Sequence, residues 1–121
     1  MNKQLVYKKM NELKSNYIDF NSLAGSKENM FCINKNESPE HRKKKFEICC
    51  QLVDLGGIFY SEVISKNRKD RYDIIYFNTL GDGFIIEVIN GETKESIENK
   101  KLKYPTEFTL IFCRIAEEFK L

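Results

Sequence analysis

The chain has 121 residues, 41% of them hydrophobic and 31% charged, with a formal net charge of +2. That length suits one domain with one modest core, and the apolar content excludes a disordered chain. The near balance of charge excludes binding to polyanions through global charge, so any phosphate-binding surface must come from local clustering. No apolar run approaches the roughly 20 residues of a membrane helix, and MNKQLVYKKM lacks the apolar stretch of a signal peptide, so the expectation is a cytoplasmic protein with no membrane partner. The cysteines Cys32, Cys49, Cys50 and Cys113 form no CxxC pair and only one histidine accompanies them, which argues against a zinc site. Cys49 and Cys50 read as small core residues of a reducing compartment, with a Cys32–Cys113 bridge the less favoured alternative.

Residues 3–15 read as a helix, with Val6, Met10, Leu13 and Tyr17 on one stripe. The polar stretch NSLAGSKENMFCINKNESPE follows, with a short strand expected at Met30–Ile33. A boundary falls here, between an N-terminal appendage at 1–36 and a core domain at 37–121. SPEHRKKKFEICCQLVDLGG is the clearest helix. Ser38 caps it, Pro39 takes its first position, Glu40 suits its positive end, and Gly56 and Gly57 stop it. Phe46, Cys49, Cys50 and Val53 form its expected apolar stripe, widened by Ile48, Leu52 and Leu55.

IFYSEVI at 58–64 is rich in strand-forming residues, SKNRKD is a basic turn, and RYDIIYFN is a second strand. TLGDG makes a hairpin turn into FIIEVI, the third strand. GETKESIENKKLK reads as a helix ended by Tyr104-Pro105, and EFTLIFCRI is a fourth strand. The core order is therefore α-β-β-β-α-β, an α+β arrangement with a mixed central sheet flanked by helices.

Two strands carry an acid inside an apolar run. By simple alternation Asp73 shares a face with Ile75 and Phe77, and Glu87 shares one with Ile85 and Ile89. The hairpin brings both acids to one end of the sheet, where Glu62 of the first strand can join them. Carboxylates converging there repel one another, and a divalent cation resolves the repulsion; hard oxygen ligands suit Mg²⁺ or Mn²⁺. The plainer alternative is that each acid is solvated or paired with a lysine.

Asp73 on the second strand, Glu87 on the third and the element order together resemble the PD-(D/E)xK nuclease superfamily, the restriction-endonuclease-like group. The string SPEHRKKKFEICCQL…GGIFYSEV…RYDII…IIEVING also resembles small archaeal and viral members of it. The resemblance covers about residues 37–115. It implies an endonuclease that hydrolyses DNA phosphodiester bonds with Mg²⁺ or Mn²⁺ held by Asp73 and Glu87, supported by Glu40 or Glu62. The family's lysine two residues after the second acid is Ile89 here. The resemblance therefore implies a migrated lysine, Lys94 first and Lys100 further along, or a catalytically degenerate module that binds nucleic acid or a protein.

The sole histidine, His41, reads as a polar boundary residue or, in that setting, as a phosphate contact. Lys44, Arg68, Lys69, Arg71 and Lys100 belong to three basic groups that can line a cleft for a phosphate backbone, and Tyr60, Tyr72 and Tyr104 can stack on bases. Each basic cluster also reads as ordinary solubilising charge. Nucleic acid is thus the expected partner, and a homodimer is compatible with two-strand cleavage.

Overall fold

The computed structural model of the chain describes residues 2–19 and 27–121; part of the irregular stretch expected after the first helix lies outside them. The elements follow as α1 (Lys3–Tyr17), α2 (Pro39–Leu55), β1 (Ile58–Ile64), β2 (Arg71–Phe77), β3 (Gly83–Ile89), α3 (Lys94–Lys103) and β4 (Thr109–Arg114). The four strands form one mixed sheet in the order β1-β2-β3-β4, antiparallel except for the parallel pair β3 and β4. The α+β class and the α-β-β-β-α-β order of residues 39–114 are therefore those read from the sequence.

Each boundary has a local cause. Asn2 caps α1 by accepting from the Gln4 N–H, Ser38 caps α2 by accepting from the His41 N–H, and Thr93 caps α3 by accepting from the Ser96 N–H. Gly57 (φ +89°) follows α2, where a Cβ would lie 2.2 Å from the Phe77 carbonyl oxygen, so only glycine lets the chain turn so closely against β2. The β2–β3 hairpin is organised by Asn78, whose side-chain oxygen accepts from the Leu80 and Asp82 N–H groups.

The core lies on both faces of the sheet. One face holds Ile48, Cys49 and Leu52 of α2 with Phe59, Ile74, Tyr76, Ile86, Val88 and Cys113. Burial pushes the Cys49 thiol up to about 12, as expected of an inert core thiol, and Cys113 is a buried thiol that makes no bridge. The other face holds Tyr60, Val63, Tyr72, Ile75, Phe77 and Ile85, covered by Met10 and Ile18 and by Tyr104 and Phe108 from beyond α3. Helix α3 itself buries no residue.

Three expectations change. The N-terminal helix is not set apart from the core: Met10 is buried in it, and Val6, Leu13 and Tyr17 pack against it, because among the described residues no other helix covers the sheet's second face. The strand expected at Met30–Ile33 does not form. Residues 29–34 instead run beside β1 through one backbone bond, from the Asn29 N–H to the Phe59 carbonyl, and through side-chain bonds, with Phe59 N–H donating to Asn29 Oδ1, Cys32 N–H donating to Ser61 Oγ, and Ser61 Oγ–H donating to the Met30 carbonyl. The buried stripe of α2 is Lys45, Ile48, Cys49 and Leu52, while Phe46, Cys50, Val53 and Leu55 are exposed. A one-residue offset on a helix is a rotation of about 100°, and here it turns a lysine into the core.

If α1 is part of the core, Met10→Ala costs about 2–5 kcal/mol in urea unfolding. A detached appendage would leave the transition unmoved.

Candidate functional site

The sheet loses its regular alternation at one level. Tyr60 and Val63 face the same core although they are three residues apart, and so do Tyr72 and Ile75 across from them. Between them lie Glu62 and Asp73, where the β1–β2 register skips a pair and Glu62 adopts φ +52°. A left-handed residue other than glycine or asparagine inside a strand is unfavourable and has to be held by its surroundings. It turns both acids toward α2. Asp73 therefore does not share the face of Ile75 and Phe77, as alternation predicts.

On the α2 side they meet Lys45, which is 1% exposed. Its Nζ donates to Glu37 Oε1 at 2.8 Å and to Glu62 Oε1, and lies 3.7 Å from Asp73 Oδ1. Three carboxylates thus surround one buried ammonium, and Arg71, half exposed, approaches Glu62 from outside at 3.7 Å. His41, one turn before Lys45, completes the group. Its Nε2 lies 2.5 Å from Glu37 Oε2 and 3.7 Å from Asp73 Oδ2, yet it is buried without a well-directed hydrogen bond. The imidazole is raised above its ordinary pKa, first by its polar contact with Asp73, against the opposing effect of burial, and then by the charges of Asp73 and Glu37. For Asp73 burial acts upward, but His41, Lys45 and the Val88 N–H outweigh it and hold the carboxyl below the usual range.

Beyond Ile74↔Ile86 the β2–β3 ladder is replaced by side chains. The Asp73 N–H donates to Glu87 Oε2 at 2.9 Å, and the Val88 N–H donates to Asp73 Oδ2 at 2.8 Å. The other oxygen of Glu87 accepts from Tyr104 O–H at 2.6 Å, and Lys100 Nζ stands 3.9 Å away. Burial, and then the Asp73 charge, push Glu87 up to about 7.

Among the described residues, Glu37, His41 and Asp73 are the group able to hold a metal ion, their donor atoms lying within 4.8 Å of one another. The 2.5 and 3.7 Å separations fall inside the roughly 4.2 Å that two donors at about 2.1 Å from one ion can span, so a modest adjustment fits a cation.

The structure brings Asp73 and Glu62 together on the α2 side of the sheet, with His41 and Arg71 around them, and joins Asp73 through its N–H to Glu87, which lies on the other face beside Tyr104 and Lys100. It does not bring Glu40 or Lys94, which are both exposed and bonded to none of these acids. Lys44 donates to the Glu117 carbonyl, Arg68 pairs with Asp19 at 2.6 Å, and Lys69 is exposed. Position 89, where the motif that the sequence resembles has a lysine, is a buried isoleucine. Tyr60, Tyr72 and Tyr104 are buried, so none offers a face for stacking.

Lys45 and Glu37 escaped the sequence reading. The available signal was helical spacing: Glu37, His41, Lys45, Cys49 and Leu52 fall along one line, continuing the buried stripe toward the helix start. No protein-family model matches this chain, and no curated protein and no solved structure matches it either.

Two consequences follow for the metal-free protein. Folding leaves a proton on Glu87 that the unfolded chain releases near its ordinary value, and it also strengthens proton binding by His41. Stability therefore falls as pH rises, from about 4.5 to 7 through Glu87 and from 6.5 upward through His41. Asp73 acts oppositely, its stabilisation being lost as pH falls below 3.8. Urea midpoints should peak in mild acid, and Glu87→Gln should flatten the decline between pH 5 and 7; an unchanged slope would remove Glu87 as its source. Lys45→Ala, which strands buried carboxylates, should cost about 3–5 kcal/mol in the same assay.

Proposed function

We propose that this chain is a metal-dependent hydrolase of DNA phosphodiester bonds, built on a restriction-endonuclease-like core. The observation that carries the reading is the donor set Glu37, His41 and Asp73, at the end of the β2–β3 ladder where Asp73 and Glu87 meet. A divalent cation bound there supplies Lewis acidity toward a phosphate oxygen and toward water. The imidazole in the set favours Mn²⁺ over Mg²⁺, which prefers oxygen donors.

The remaining residues divide the work. Glu87, held by Tyr104, accepts the Asp73 N–H and fixes the strand that carries the Asp73 carboxylate. Lys100, one-third exposed beside Glu87, is the cation best placed to meet a phosphate, in preference to Lys94. Lys45 is too deeply buried to reach substrate and serves as counter-charge to the acids.

That internal counter-charge also supports a second reading. Lys45 relieves the repulsion without a metal ion, and Ile89 leaves the family's lysine position empty of charge, as in a degenerate module that only binds nucleic acid or a protein. Calorimetric titration with Mn²⁺ and cleavage of plasmid DNA separate the two. For the hydrolase, Mn²⁺ binds the wild type, Asp73→Asn and Glu37→Gln abolish binding, Asp73→Asn abolishes cleavage with the fold intact, and Lys94→Ala changes neither. No Mn²⁺ binding by the wild type, even with DNA present, would leave only the binding module.

A further inference from the structure

A separate cleft of about 390 Å³ opens beside the acids, and Glu62 and Arg71 belong to both. Its outer wall is the segment 32–36, which is not loose. The Cys32 N–H donates to Ser61 Oγ at 2.7 Å, Asn34 accepts the Asn36 N–H at 3.0 Å, and Asn34 Nδ2 lies 3.4 Å from Glu62 Oε2. The left-handed backbone at Glu62 lets its carboxylate bond Lys45 with one oxygen and approach Asn34 and the Arg71 guanidinium with the other. The wall is therefore preorganised by the same distortion that builds the acid cluster.

The groups that face the opening are chemically distinct. Ile33, 72% exposed, offers an apolar surface. The Asn36 carboxamide is exposed and takes part in no side-chain hydrogen bond among the described residues, so it presents a donor and an acceptor side by side, the pattern that pairs with a base edge. Lys35 is exposed, and Arg71 is half exposed, its ion pair among the described residues being a long 3.7 Å. Along β2, Arg71 precedes Asp73 by two residues, roughly 6.6 Å of strand, so a phosphate at Arg71 neighbours one at Asp73.

We infer that this cleft takes a single unpaired nucleobase, seated on Ile33 and bonded by Asn36, with its phosphate on Arg71 and Lys35. The inference rests on the nucleic-acid reading of the adjacent acids and narrows its substrate class to single-stranded or locally unpaired nucleic acid. The size of the cleft sets that limit. It lies at the small end of the roughly 300–1,000 Å³ of ligand clefts and has room for one nucleoside, not for a base pair. A base in a duplex has its face stacked and its Watson–Crick edge paired, so it can neither seat on Ile33 nor offer that edge to Asn36.

The test is fluorescence anisotropy in EDTA, with a short labelled DNA strand and with the same strand annealed to its complement. The single strand should bind about tenfold more tightly than the duplex, as one seated base warrants. Asn36→Ala and Ile33→Ala, both at exposed positions, should weaken the single strand by about that factor and leave the duplex unchanged. Arg71→Ala should weaken both and reduce the salt dependence of binding. Equal affinity for the two forms, or variants that weaken both alike, would overturn the inference. Because no metal is present, the two readings fail separately. A single-strand preference in a protein that cleaves nothing keeps the cleft and rejects the hydrolase; cleavage without that preference rejects the cleft alone.

Discussion

The Lys45 ammonium sits where almost none of its surface meets water, enclosed by Glu37, Glu62 and Asp73. Burying a charge is unfavourable unless partners replace its hydration, and here the partners come from three separate parts of the chain. That requirement fixes the rotation of α2 about its axis, since Lys45 reaches the acids only when Ile48, Cys49 and Leu52 face the sheet. It also accounts for the cost accepted at Glu62, whose left-handed backbone in mid-strand brings a carboxylate to the ammonium. The break in alternation on β1 and β2, the turn of Asp73 toward α2 and the position of His41 all depend on this ion cluster.

Two neighbouring carboxyls are thereby given opposite properties. Asp73 faces cations and a backbone N–H and stays ionised more readily than a free aspartate. Glu87 faces a tyrosine hydroxyl and the Asp73 amide inside the apolar face and titrates near neutrality. Each bonds a backbone N–H of the other's strand, so the pair replaces a rung of the sheet while differing in charge. Such separation of similar groups by environment is a recurrent mark of functional sites, though structural ion networks produce it too. The adjacent donor set, with a buried histidine nitrogen lacking a directed bond, favours the functional account.

The covering of the sheet matters equally to the site. The segment 29–34 shields the β1 edge mainly through side-chain bonds, with a single backbone bond at Asn29, in place of a fifth strand, which leaves its backbone irregular enough to wall a cleft. Helix α1 closes the opposite face over Tyr60, Phe77 and Phe108, and α3 is left at the surface to bring Lys100 toward Glu87 and to deliver Tyr104 to the core. Among the described residues no helix is long and apolar enough to cross a membrane.

The sequence by itself determined the elements and their order. Caps, glycines and apolar periodicity are local properties, and they placed α1, α2, the three meander strands, α3 and β4 close to where they lie. It also identified Asp73 and Glu87, because an acid inside an apolar strand is conspicuous in one dimension. Tertiary structure decided which way those acids turn, that Glu37 and Lys45 stand with them while Glu40 and Lys94 stay in solvent, and that α1 is core. The physical reason is that a lysine next to a lysine looks alike in sequence. Whether Lys44 or Lys45 is buried depends on a helix rotation set by partners on β1 and β2, and the direction of Asp73 depends on a backbone distortion at Glu62 that no local pattern announces.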